Sequence, residues 1–255
     1  MLQEVKTQDD SLAIWTSLVR MRAFAAADLA ARTDPFERHV APAELAVIAG
    51  AMAALKKDDG AFPSDVDAAS VLARGVSMTD LVARKIGWKS LKMSPPGWHN
   101  GAHLVHAAGF AWAAKMKKED AVALALGPED VMETGEVHNA LNFAGVFKLP
   151  AIFVVRAKPA AEAELRARAL EYGITVTAAD GSDVLAVREV VREARVRAAK
   201  GNGATLVAAL LDPASKTDAA NALRKHVEAQ KSATASELDA IVANAKKEAE
   251  SAFRA

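Results

Sequence analysis

Residues 121–155 read AVALALGPEDVMETGEVHNALNFAGVFKLPAIFVV, and this stretch decides the fold. Two apolar runs of strand length, 121–126 and 151–155, flank a segment at 136–147 that is rich in Ala, Asn and Phe and reads as a helix. Parallel strands need a long crossover rather than a hairpin, so strand, helix, strand is a parallel crossover unit. Toward the C-terminus a third run at 174–178 and a fourth at 205–211 are separated by a charged helical segment, 182–200, and the alternation continues. The expected class is α/β, a parallel sheet flanked by helices.

Upstream, the residues Leu12, Ile14, Trp15, Leu18, Val19, Met21, Phe24 and Leu29 recur at helical spacing behind Asp9 and Asp10, which defines an amphipathic helix over 11–31. A second helix spans 43–55, with Pro42 near its first turn, and closes in KKDDG; the GAFPSD that follows reads as a loop. Helical periodicity returns at 67–74 and 78–86, before GWKSLKMSPPGWHNG at 87–101 breaks it with prolines and glycines. Small residues dominate AHLVHAAGFAWAAKM at 102–116, which suits a helix lying in the core. The tail 232–255 is helical, with Thr234 and Glu237 spaced as a capping box at its start. A helix-alternating-strand chain of 255 residues commonly forms one domain, and 1–255 is read as one.

Lys plus Arg and Asp plus Glu both number 32, so no net charge draws the chain to nucleic acid or anionic lipid. Cysteine is absent, which excludes disulfides, thiol catalysis and cysteine-ligated zinc, and fits a reducing compartment. The opening MLQEVKTQDDSL lacks a basic region followed by an apolar run, and no stretch reaches the ~18 apolar residues of a membrane span. The expectation is a cytoplasmic protein with no membrane or nucleic-acid partner.

The order of these elements, together with HNALNFAGVFKLPAIFVV at 138–155, strongly resembles the alpha subunit of thiamine-diphosphate-dependent pyruvate and branched-chain 2-oxo acid dehydrogenases. That family reads His-Glu-(Ala/Ser)-Leu-Asn there, then Lys-Leu-Pro and a hydrophobic strand. LVRMRAF, AELAVIAGAMAAL, AFPSD followed by LARGV, AADGSDVLAVREVVREA and ELDAIVANAKKEAESA fit the family in the same order, so the resemblance spans nearly the whole chain. It implies the thiamine-diphosphate-binding fold with N-terminal and C-terminal helical extensions. It also implies a cofactor held between an alpha and a beta chain, with alpha gripping the diphosphate and its magnesium, in a reaction that decarboxylates a 2-oxo acid and acylates a lipoyl group.

The resemblance also places the family's functional positions, and this sequence departs at most of them. Magnesium takes hard oxygen ligands, which the family supplies from Gly-Asp-Gly after one strand and Asn-Asn after the next. Counted without a gap from His138, the first motif falls on Pro128, Glu129 and Asp130, leaving Glu129 as a possible metal ligand; a shift of one residue would use Gly127 and put Pro128 at the aspartate. The asparagine pair falls on Ala157 and Lys158, after Arg156. A methyl cannot coordinate magnesium, and an ammonium repels a dication by several kcal/mol at low effective dielectric. The family's Phe-Pro-Thr-Tyr-Arg-Asp-His falls on 62–68, so the diphosphate-gripping arginine has become Val66 and a histidine Ala68. The second family histidine falls on Thr217, and its Gly-Gly-Ser-Met-His loop is replaced by SLKMSPPGWHNG, in which His99 stands as a possible substitute.

Other candidates have plainer readings. His103 and His106, spaced i, i+3, could chelate a metal or serve helix packing, and no third ligand lies nearby in sequence. Glu129, Asp130 and Glu133 form either a cation site or a solvated helix N-terminus favoured by its dipole. His138 is expected to serve packing or subunit contact, and the tryptophans 15, 88, 98 and 112 to anchor core or interface.

Three functions follow as expectations. The first is a non-catalytic, structural or regulatory alpha-like subunit that no longer binds thiamine diphosphate and magnesium. The second is an active decarboxylating alpha subunit using Glu129, and the third a sensor whose Arg156 and Lys158 hold a phosphorylated ligand without magnesium. In each, a beta-type dehydrogenase subunit or a second copy of the chain is the expected partner.

Overall fold

A computed structural model describes residues 10–31, 42–64, 68–95 and 101–254. Five strands form one sheet: β1 Gly60–Pro63, β2 Ala123–Pro128, β3 Ala151–Ala157, β4 Thr175–Asp180 and β5 Thr205–Leu210. Their spatial order is β1-β2-β3-β5-β4, and every neighbouring pair is parallel. Ten α-helices surround the sheet among the described residues. They are α1 Ser11–Ala31, α2 Glu44–Ala53, α3 Ala68–Ala73, α4 Met78–Val82, α5 Ala102–Lys117, α6 Gly135–Val146, α7 Glu162–Glu171, α8 Val184–Ala199, α9 Ala219–Ala229 and α10 Ala235–Arg254.

Alternation along the strands builds two cores. Ala123, Ala125, Phe153, Val155, Leu206 and Ala208 face α5, α6 and α7, packing against Leu104, Ala107, Leu141 and Leu165. Leu124, Leu126, Ile152, Val154 and Val207 point to the other face, where α2 and α8 contact the sheet, α1 lies against α2 and α9 against α8, and α10 packs on α1 and α4. A crossover between parallel strands is right-handed, so β1 to β4 advance across the sheet with α5, α6 and α7 on one face. From β4 the chain turns back to β5, and α8 accordingly takes the opposite face. Burial on both faces explains why strand residues read as continuous apolar runs.

The GAFPSD segment expected as a loop contains strand β1. Four residues with Gly at one end and Pro at the other carry no local strand signal; pairing with β2 supplies the order, from Gly60 opposite Ala123 to Pro63 opposite Leu126. The helix expected over 78–86 stops at Val82, and Arg84 turns left-handed with φ 56°. Helix α5 does not lie in the interior: His103, Leu104, Ala107, Ala108, Ala111 and Ala114 are buried while Val105, Gly109, Ala113 and Met116 face outward. Alanine is accepted on either side of a helix, so its abundance did not distinguish an interior helix from one covering a sheet. The capping box is present: the Thr234 backbone N–H donates to Glu237 Oε2 at 2.8 Å, and the Glu237 N–H to Thr234 Oγ1 at 3.3 Å. No described helix is long and apolar enough to cross a membrane.

Candidate functional site

Strand β3 leaves the sheet toward α7 on one face and β5 toward α9 on the other, so their C-terminal ends open a crevice, the place where parallel α/β sheets take ligands. A cleft of about 600 Å³ lies there. Its wall is built from the ends of β2 (Pro128, Glu129), β3 (Arg156, Ala157, Lys158) and the segment after β5 (Leu211, Asp212), with Glu44 from the first turn of α2. The register sets Pro128 beside Arg156 and Ala157 beside Leu210.

Two contacts fix the strand ends. Glu129 Oε2 accepts the backbone N–H of Lys158 at 2.9 Å, tying the turn after β2 to the turn after β3. The Arg156 side chain, 1 % exposed, points to the α2 face and lies 3.6 Å from Glu44 Oε1. A buried guanidinium needs a carboxylate nearby, because an isolated charge in the interior is strongly unfavourable. Lining groups carry opposite charges in unequal number: Glu44, Glu129, Asp130, Glu133 and Asp212 against Arg156 and Lys158.

On the other face of the sheet end, His103 in the first turn of α5 is buried beneath Gly127. Its Nε2 would stand 3.0 Å from a Cβ at position 127, so only glycine leaves room for the ring. No described residue hydrogen-bonds that nitrogen. Burial, with Arg156 and then His106 adding to it, lowers the imidazole pKa from 6.5 to about 4, so His103 is neutral near pH 7. His106, one turn further along the helix, is exposed while His103 is buried, and among the described residues no group of three or more His, Asp or Glu side chains gathers to hold a metal, so packing is the reading the geometry of His103 favours.

The structure therefore brings together Pro128, Glu129, Asp130, Arg156, Ala157 and Lys158. It does not bring Thr217 there: Thr217 is exposed, pairs with Ser215 Oγ, and lines a separate hollow of about 350 Å³ with Asp180, Asp183 and His226. Ala68 opens α3 and does not line the cleft, while Val66 and His99 lie outside the described residues. Exposed His138 pairs through Nδ1 with Tyr172 Oη at 2.7 Å. Sequence reasoning missed Glu44 and Asp212. A charged residue ending an apolar strand signals that Arg156 needs a carboxylate, but no sequence pattern says which one.

These features define an α/β protein whose ligand crevice opens at the reversal of a parallel sheet. The chain belongs to the family described as Dehydrogenase E1 component, whose profile matches residues 16–212. It is 32% identical over 205 residues to a 3-methyl-2-oxobutanoate dehydrogenase subunit alpha of Mycobacterium tuberculosis, covering 72% of this chain and 56% of that protein. It is also 32% identical over 171 residues to a pyruvate dehydrogenase E1 component subunit alpha of Staphylococcus aureus, covering 60% of this chain and 46% of that protein. The chain thus spans about half the length of the curated relatives it matches. Transketolase from Campylobacter jejuni shares the fold, with a TM-score of 0.59 at 16% identity over 95% of this chain and 47% of that one.

The resemblance to thiamine-diphosphate-dependent 2-oxo acid dehydrogenases implies a diphosphate held through magnesium, and the donor set here fits such a group poorly. At the end of β3 the family's two carboxamides are a methyl and an ammonium, Ala157 and Lys158. Glu129 is the acidic group left at the end of β2, and one of its oxygens is taken by the Lys158 N–H. Among the described residues no group of three or more His, Asp or Glu side chains is arranged to hold a metal ion. An excess of carboxylates along the cleft also opposes a polyanionic ligand.

Proposed function

We propose that the chain is an alpha-subunit-like member of its family that has lost thiamine diphosphate and magnesium and acts as a structural or regulatory subunit, associating with a beta-type dehydrogenase subunit or with itself. One observation carries this reading: the strand ends of the cleft are locked by protein contacts, Glu129 to Lys158 and Arg156 to Glu44, where a cofactor would need free oxygen donors. The architecture that positions those strands is intact. The alternative of an active subunit draws on the retained carboxylate of Glu129 beside Asp130 and Asp212. The phosphorylated-ligand sensor draws on Arg156 and Lys158, but Arg156 is already engaged by Glu44 and the lining is acidic.

Calorimetric titration of thiamine diphosphate with magnesium into the purified chain, alone and mixed with a beta-type subunit, separates these readings. No binding is expected in either case. Magnesium-dependent binding at micromolar concentration sinks the proposal and restores the active-subunit reading.

A further inference from the structure

The first turn of α5 meets the ends of β1 and β2 beside Gly127, and the polar side-chain atoms gathered there have no protein partner. Ser64 follows the last residue of β1, and its N–H donates to the Leu126 carbonyl at 2.9 Å, so the parallel register runs on and sets Ser64 next to Gly127. Side chains alternate along a strand; Phe62 and Ala125 face α5, and Ser64 and Gly127, two residues on, face it as well. From the helix side, His103 brings its Nε2 to 3.0 Å from where a Cβ at Gly127 would stand. Both Ser64 and His103 are 3% exposed, and neither Ser64 Oγ nor His103 Nε2 forms a hydrogen bond with any described residue, each other included.

A third polar atom joins them. In a parallel ladder the residue after Gly127 would donate its N–H to the Ser64 carbonyl, and here that residue is Pro128, which has none. A buried hydroxyl or ring nitrogen left without a partner is unfavourable, and native interiors satisfy such groups with protein atoms or with ordered water. An internal water makes about three hydrogen bonds to groups of this kind.

Water matches the set chemically. Ser64 Oγ gives or takes a hydrogen bond, the carbonyl only accepts, and the imidazole nitrogen does one or the other according to its tautomer, so the bridging molecule must both donate and accept. A cation does not match, because none of the three atoms carries a negative charge and the Arg156 guanidinium, close enough to oppose a second proton on His103, repels it as well. An anion would face the Ser64 carbonyl.

We infer that Ser64, His103 and Gly127 enclose a binding site for a single water molecule, which ties the end of β1 to the first turn of α5. Gly101, the residue before that turn, offers no side-chain cap, so the bridge is a contact that orients the helix start beside Pro128 and the cleft it lines. Glycine at 127 thereby leaves room both for the ring and for the molecule the ring binds. The inference goes beyond the reading of the cleft and does not rest on it.

Oxygen-17 relaxation dispersion of the purified chain counts the waters held longer than the molecule takes to tumble. Ser64→Val, whose methyls occupy the space beside Gly127, is expected to remove one such water. A crystal structure of the natural chain is expected to show density within about 3.2 Å of both Ser64 Oγ and His103 Nε2. Ser64→Ala and His103→Leu read the coupling in urea titration: each raises the unfolding constant, and the double variant should raise it at least about threefold less than the product of the two, because the second substitution finds the bridge already broken. The relaxation arm alters Ser64 alone, so it does not depend on the folding of His103→Leu. An unchanged water count in Ser64→Val, a direct hydrogen bond between Ser64 Oγ and His103 Nε2 in the crystal, or independent effects of the two substitutions would each overturn the inference. So would stability that follows the identity of the monovalent cation at constant ionic strength, which would assign the site to an ion.

Discussion

His103 shows how one residue ties packing to pH. Its ring is neutral because burial and the nearby Arg156 guanidinium oppose a second proton, and its folded pKa of about 4 lies below the ordinary 6.5. Above pH 6.5 both folded and unfolded chains hold the imidazole neutral, and the group has no effect on stability. Between 6.5 and 4 the unfolded chain takes up a proton that the folded chain refuses, so stability falls as the pH is lowered through this window and levels off below it. The loss is on the order of 3 kcal/mol for the shift at this site. Denaturant midpoints measured between pH 7 and 4 should fall more steeply for the natural chain than for His103→Leu; parallel curves would show that the ring is not desolvated as described. The sequence offered two readings of His103 and His106, chelation and packing. The spacing i, i+3 could not decide between them, because it fixes neither which face of α5 meets the sheet nor what lies above Gly127.

Elements are held in place by a buried cluster at the end of the sheet opposite the cleft. Asp59, fully buried just before β1, accepts from Arg195 Nε at 3.0 Å and Nη2 at 3.1 Å, from the Lys56 N–H at 2.7 Å and from the Val122 N–H at 3.0 Å. Arg195 of α8 also donates to the Asp120 carbonyl at 2.9 Å and to its Oδ1 at 3.2 Å. One guanidinium thus joins α8 to the starts of β1 and β2. Arg195→Met should lower unfolding free energy by about 3–5 kcal/mol, because it leaves the Asp59 carboxylate buried beside a thioether; a loss under about 1 kcal/mol in urea titration would show that Asp59 is solvated. The sequence reads KKDDG as the turn that ends the second helix; Lys56, Lys57 and Asp58 are exposed there, while Asp59 is buried, which a turn signal alone does not reveal. Strands β2 to β5 and most helices were legible from apolar runs and periodicity, since these depend on local pattern. Strand β1, four residues long, and helices α7 and α9 escaped a local reading: α7 buries only Leu165 and Ala169, and α9 only Ala220, Leu223 and Val227.

Across the whole molecule, α10 covers α1 and α4 on the layer outside α2 and α8. Leu238, Ala245, Ala249 and Ala252 are buried there, Phe253 meets the Phe24 ring at 5.3 Å, and Glu248 pairs with Arg20 at 2.7 Å. Removing residues 232–255 strips several apolar side chains from this layer, worth several kcal/mol at about 25 cal/mol per Å², and should lower the melting temperature and raise binding of a hydrophobic dye. An unchanged melt would mean that α10 contributes nothing to stability. The family and its overall architecture were legible because many ordered segments carry them. The state of the cleft was less so, because Glu44 and Arg156, or Glu129 and Lys158, become neighbours only when distant strand ends are aligned. The strand order has a consequence for synthesis on the ribosome. Strand β5 inserts between β3 and β4, which precede it, so a nascent chain ending before residue 205 has β1, β2 and β3 available while one edge of β3 still lacks its neighbour. Until the last strand emerges, that edge is a row of unpaired amides open to another chain.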